Sequence, residues 1–157
     1  MNAERITWAM TARLKALREL EAEIVTFVRT AVSRALRGAE ASATDVVERT
    51  MASAVAAADE VGAGLEISAK NAAKGAVLGV QDVGGDAQAA ALAATRAIVA
   101  ASATLSAEAT AAVDGAVQGV AEALVESGGN PGAFLREAAL VAGASRGADR
   151  GSVQAPA

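Results

Sequence analysis

Two stretches of this chain, Gly75-Ala-Val-Leu-Gly-Val80 and Gly115-Ala-Val-Gln-Gly-Val120, set a pair of glycines four residues apart, with valines beside them. On a helix, positions i and i+4 share a face. Two glycines there leave a flat track of backbone that a second helix can approach closely, the small-residue packing pattern written GxxxG. The surrounding residues make helix the default. Alanine, the strongest helix former, dominates, and the only prolines are Pro131 and Pro156. Aromatic residues are confined to Trp8, Phe27 and Phe134. A thick layered core needs many large side chains, whereas thin, closely spaced helices need few. The expected fold class is therefore all-α.

The glycine pairs belong to a longer pattern. Sliding the chain by 22 residues brings Ser53–Gly62 onto Gly75–Gly84, and a further 22 brings a weaker copy, Ala97–Ser106. The next copy, Gly115–Leu124, falls after 18 residues. The copies carry their bulk at the same places, about one position per turn: Val55, Ala58 and Val61; Val77, Val80 and Val83; Val99, Ser102 and Leu105; then Val117, Val120 and Leu124. A fixed period of this length marks a helical-repeat array. The runs Val61–Gly64, Val83–Asp86 and Ser127–Gly132 read as breaks, because adjacent glycines cost about 1 kcal/mol each inside a helix. Asp86 and Asn130 are then predicted N-caps. The copy near Thr104–Ser106 has no glycine, so 87 to about 127 also reads as one long helix.

Before the repeats, Met10, Leu14, Leu17, Ile24, Val28, Ala31 and Ala35 recur at helical spacing over about Glu4–Arg37, with Gly38 as the stop. Glu21 falls in that seam; the register Leu17, Leu20, Ile24, Phe27, Ala31 avoids it. The expected organisation is an amphipathic N-terminal helix (1–38), an Ala/Gly-rich repeat region (39–142) and a disordered tail (143–157). The architecture is an antiparallel helical bundle or a hinged array of about 22-residue repeats.

Charge is unevenly spread. Residues 1–40 hold seven Lys/Arg against five Asp/Glu, while residues 41–135 hold four against eleven. The acidic middle argues against wrapping nucleic acid. Trp8, Arg13, Lys15, Arg18, Phe27 and Arg29 on the first helix are the candidates for contact with a surface, since an apolar stripe with cationic flanks suits an interface. The same pattern suits a bundle helix.

The chain has no histidine, cysteine or tyrosine. Triads built on imidazole or thiolate are thereby excluded, as are metal sites built on them. Phosphate-loop and dinucleotide spacings are also missing: Ala73-Lys74-Gly75 is not Gly-Lys-Ser/Thr, and Gly62-Ala-Gly64 lacks its third glycine. Asp45 with Glu48, and Asp59 with Glu60, read as solvated helix positions. No cofactor, metal or small-molecule substrate is expected. From Ala87 to Ala107 the one charge is Arg96, a length that could span a bilayer, but the run is mostly alanine, serine and threonine. Burial between Ala-rich neighbours is the better reading. The first residues carry both signs of charge and no apolar run, so no secretory signal is read and a cytoplasmic protein is expected.

The 22-residue pattern, clearest in Gly75–Asp86, resembles that of uncharacterised bacterial Ala/Gly-rich helical-repeat proteins. It is loosely similar to phasins, the helical proteins that coat storage granules, and to the 11/22-residue lipid-surface repeats of apolipoproteins. The residues themselves point to a non-enzymatic structural protein that self-associates through Gly75, Gly79, Val77, Val80, Gly115, Gly119, Val117 and Val120. Its partners are then further copies or other helical proteins. The phasin likeness implies the alternative, a granule- or membrane-surface coat that uses the first helix.

Overall fold

Three breaks in the chain carry a glycine at the same phase, Gly62, Gly84 and Gly128. The computed structural model describes residues 3–38, 41–104 and 109–151, and for 142–151 the backbone alone. Six helices fill it: α1 (Ala3–Gly38), α2 (Ala43–Val61), α3 (Leu65–Asp82), α4 (Ala87–Ser102), α5 (Ala109–Glu126) and α6 (Pro131–Gly151). Helices α2, α3, α4 and α6 begin at 43, 65, 87 and 131, on one step of 22 and its double, and α5 is described from 109. Ser42 Oγ accepts from the Asp45 amide at 3.1 Å, and Asp86 Oδ1 accepts from the Gln88 and Ala89 amides at 2.9 and 3.2 Å. Asn130 Oδ1 accepts from the Ala133 amide at 3.2 Å, with Pro131 in the first turn, where its missing N–H is no loss. At the other ends, Gly62, Gly84 and Gly128 take left-handed φ of 67°, 78° and 73°. The amides of Ala63, Gly85 and Gly129 then return to the carbonyls of Ala58, Val80 and Leu124 at 2.8–3.0 Å.

This constant step corrects the sequence alignment. The last copy is not four residues short: Gly119, not Gly115, is the counterpart of Gly75. A slip of four is about one helical turn and preserves the face, so residue pattern alone could not reject it. The glycine-free connection after α4 is also a break, so 87–127 is not one helix. Ser106, which occupies the phase of Gly62, Gly84 and Gly128, lies outside the described residues. Residues 143–151, expected to be disordered, continue α6 despite Gly143, Gly147 and Gly151; no proline interrupts them. The remainder of the predicted tail, 152–157, lies outside the described residues.

The helices form two layers. Gly75 and Gly79 of α3 meet Val25–Arg29 and then Arg29–Val32 of α1. Gly115 and Gly119 of α5 meet Glu66 and then Lys70 of α3. Both sets ascend together, so α1, α3 and α5 run parallel, with α3 in the middle and α1 not touching α5. Helices α2, α4 and α6 return between them as the second layer, α4 central. The structural unit is therefore a pair of helices, 44 residues long. Between the layers lies a core built largely of alanine and valine, with Met51, Ile98, Leu124 and Phe134 as its largest fully buried members. Among the described residues no helix is long and apolar enough to cross a membrane; α4 spans Ala87–Ser102 with Arg96 exposed.

Candidate functional site

The eight residues expected at an interface between helices sit inside the chain. A Cβ added at Gly75 would stand 2.7 Å from Val25 O and 2.9 Å from Val28 Cβ; one at Gly79 would stand 2.7 Å from Arg29 O. At Gly115 and Gly119 it would overlap the carbonyl oxygens of Glu66 and Lys70. Val77, Val80 and Val120 are fully buried and Val117 is half-buried. These glycine tracks are occupied by α1 and α3 of the same molecule and cannot be what one copy offers another. From sequence, close approach could be read but not the identity of the approaching helix.

Polar residues hold the same seams. Lys70 Nζ reaches Glu21 on α1 at 3.6 Å and Glu122 on α5 at 3.7 Å. Lys74 Nζ reaches Glu122 at 3.4 Å and Glu126 at 2.8 Å. Asn71, buried, donates to Glu21 Oε1 at 3.3 Å and to Ile67 O at 2.9 Å. The charge that breaks the apolar seam of α1, Glu21, thus meets α3. The hydrogen bond to Glu126 holds the Lys74 ammonium above its ordinary range, against the opposing effect of burial. Together these side chains border a shallow groove of about 330 Å³ over α3. Its charges are mutually paired, and its buried polar atoms are satisfied.

Arg29, expected among the surface-binding cations, is engaged elsewhere. Its guanidinium donates two hydrogen bonds to Asp82, at 2.6 and 2.7 Å. The Asp82 carboxyl is held below the usual carboxylate range chiefly by those bonds, with burial opposing. The side chains are 44% and 31% exposed, so solvent screening limits the pair to about 0.5–1 kcal/mol. A depressed folded pKa stabilises above the unfolded value and is lost below it. Asp82→Asn is therefore expected to melt lower than wild type at pH 7. The difference should close as pH falls below about 4, read by thermal melts at two pH values.

The other predicted surface residues lie on an unusual element. Repeating the 22-residue step backwards from Ala43 places the first unit at residue 21, yet α1 begins at Ala3. Residues 3–20 form an arm outside the repeat frame, roughly 27 Å long at about 1.5 Å per residue. All of it is exposed except half-buried Ala9. Ile6, Trp8, Met10, Leu14, Leu17 and Leu20 are uncovered, Trp8 at 76%. Arg13, Lys15 and Arg18 are exposed on the arm; Phe27, also exposed, lies further along α1 beside the body. Ile6, Met10, Leu14 and Leu17 stay within roughly 40° of the line of Val28, which faces α3 farther on. Trp8 lies roughly 160° from Met10, on the other side.

Among the described residues no group of three or more acidic, His or Cys side chains could hold a metal ion. No family model, curated protein or solved structure matches the chain. The class of protein rests on the fold: a two-layer, all-α helical repeat.

Proposed function

We propose that this chain is a non-enzymatic structural protein, a small helical-repeat body that holds out an amphipathic arm for pairing with the arm of a second copy. The observation that carries this reading is the exposed apolar stripe Ile6, Met10, Leu14, Leu17 on a helix already nucleated by its packed half. An isolated helix this short is marginal in water, so continuity with residues 21–38 is what keeps the arm formed. Side chains that line up with a buried face but have no cover of their own mark an interaction surface. Two such arms give a strip about 27 Å long and about 12 Å wide on each partner. That is below the roughly 1,200 Å² of standard interfaces, so the pairing is reversible and concentration-dependent.

A surface coat is the second reading, favoured by Arg5, Arg13, Lys15 and Arg18 against Glu4 and Glu19 on the arm. Trp8 weighs against it, because a helix lying flat in an interface keeps its large apolar groups on one side.

The test compares the full chain with the Met10→Ser/Leu14→Ser/Leu17→Ser variant by sedimentation equilibrium over a range of concentrations. The wild type is expected to exceed the average mass of the variant at every high concentration, with both melting alike. Equal masses would defeat arm pairing. In parallel, vesicles containing anionic lipid are mixed with the wild type; co-sedimentation with a blue shift of Trp8 emission would transfer the arm to the coating reading.

A further inference from the structure

The repeat has two ends in its first layer, and the residues there continue the registers that join α1 to α3 and α3 to α5. From this we infer that copies of the chain stack head to tail, with the outer face of α1 docking on the outer face of α5 of the next copy, as α5 docks on α3. This surface is separate from the arm.

Translation by the 44-residue unit fixes the correspondence. Gly75 and Gly79, which carry α3 onto α1, have Ala31 and Ala35 as their counterparts in α1. Both are exposed. Buried Asn71 corresponds to Phe27, which is 74% exposed. On the other end, Lys70 and Lys74, which receive α5, correspond to Asp114 and Gln118, both exposed. Gln81, which reaches the Ser127 carbonyl beyond α5 at 3.4 Å, corresponds to Val125, 64% exposed.

Three things favour a second copy as the occupant. First, the two faces continue an interface the molecule already makes twice, in the same parallel sense. Second, the charges match. Glu122 of α5 pairs with Lys70 of α3. One unit on, the corresponding pair is Arg34 of the incoming α1 and Asp114 of the receiving α5, with the signs reversed and still opposite. Third, terminal repeats of a helical array need a polar outer face to stay apart. These ends instead offer Phe27 on one side and Val125 on the other. Ala31 in place of Gly119 and Phe27 in place of Gly115 hold this junction wider than the α3–α5 seam, so copies separate more readily than helices within a copy. A heterologous contact of this kind does not close on itself unless the rotation permits a ring, and it yields a ladder of oligomers.

The experiment uses the full chain carrying the Met10→Ser/Leu14→Ser/Leu17→Ser change, which removes arm pairing from the measurement. Its average mass is expected to climb with concentration past twice the monomer mass of 15.4 kDa. Phe27→Glu and Val125→Glu, each on that background, should each stay at monomer mass, since both alter exposed side chains and leave the melt unchanged. Mixed in equal amounts they should form dimers and nothing larger, because only one good head and one good tail remain. Arg34→Asp and Asp114→Arg should each weaken the assembly at least about tenfold, and the two together on one chain should restore it. A background chain that remains monomeric, or a mixture of Phe27→Glu and Val125→Glu that does not dimerise, would overturn the inference.

Discussion

Gly119→Ala is expected to be the most damaging single-methyl change in this protein. The added Cβ would land on the Lys70 carbonyl oxygen and within 2.7 Å of its carbonyl carbon. These are backbone atoms in the middle of α3, and no rotamer change can move them aside. Helix α5 must therefore retreat, loosening the buried contacts of Ala112, Ala116 and Ala123 along the same helix. Overpacking of this kind costs about 1–3 kcal/mol and occasionally more. Replacing a helical glycine by alanine gains about 1 kcal/mol in propensity, which offsets part of it. The upper end of that overpacking range leaves a net loss of about 2 kcal/mol, which lowers Tm by roughly 4–8 °C for a chain of this size. Gly75→Ala should cost less, because its nearest neighbours, Val25 O and Val28 Cβ, stand at 2.7 and 2.9 Å. Gly64→Ala, with open space around it, should change the melt little. Calorimetry of the three variants gives the ordering, and a Gly119→Ala protein melting with the wild type would refute the tight α3–α5 seam.

Phe134→Ala is expected to be the costliest truncation. Of the three aromatic residues, Trp8 and Phe27 are exposed and Phe134 is fully buried. It belongs to the same apolar cluster as Ile98 of α4 and Leu124 of α5. Alanines supply most of the rest of that cluster, so few nearby side chains are long enough to collapse into the vacated space. Phe→Ala in such a site costs about 3–5 kcal/mol. Because α6 rests on α4 and α5 through few other large side chains, the loss should appear first there. Hydrogen exchange should show α6 amides exchanging at a lower opening free energy than those of α3. Uniform exchange across both helices would count against this local effect.

Much of the fold was legible because it is local. The caps at Asp86 and Asn130, and the turns at the paired glycines, are decided within a few residues by backbone geometry. The break after α4 was not legible, since the residues between Ser102 and Ala109 contain neither glycine nor proline. The candidate site was legible only in part. That Gly75, Gly79, Gly115 and Gly119 sit at close approaches follows from having no side chain. That the approaching backbones belong to the same molecule does not. Arg29 looked like a free surface cation because Asp82, its partner, is 53 residues away.

By itself, the sequence determined the helical class, most of the breaks and the faces that pack, because propensity, capping and small-residue spacing act over one or two turns. Only the tertiary structure decided the pairing of α3 with α1 and α5, and the true 44-residue unit. It also decided that residues 3–20 extend past the described helices that pack on the rest of α1. An apolar stripe looks the same whether it is roofed or bare. The difference lies in how far the neighbouring helices extend, and that is set by assembly of the whole chain.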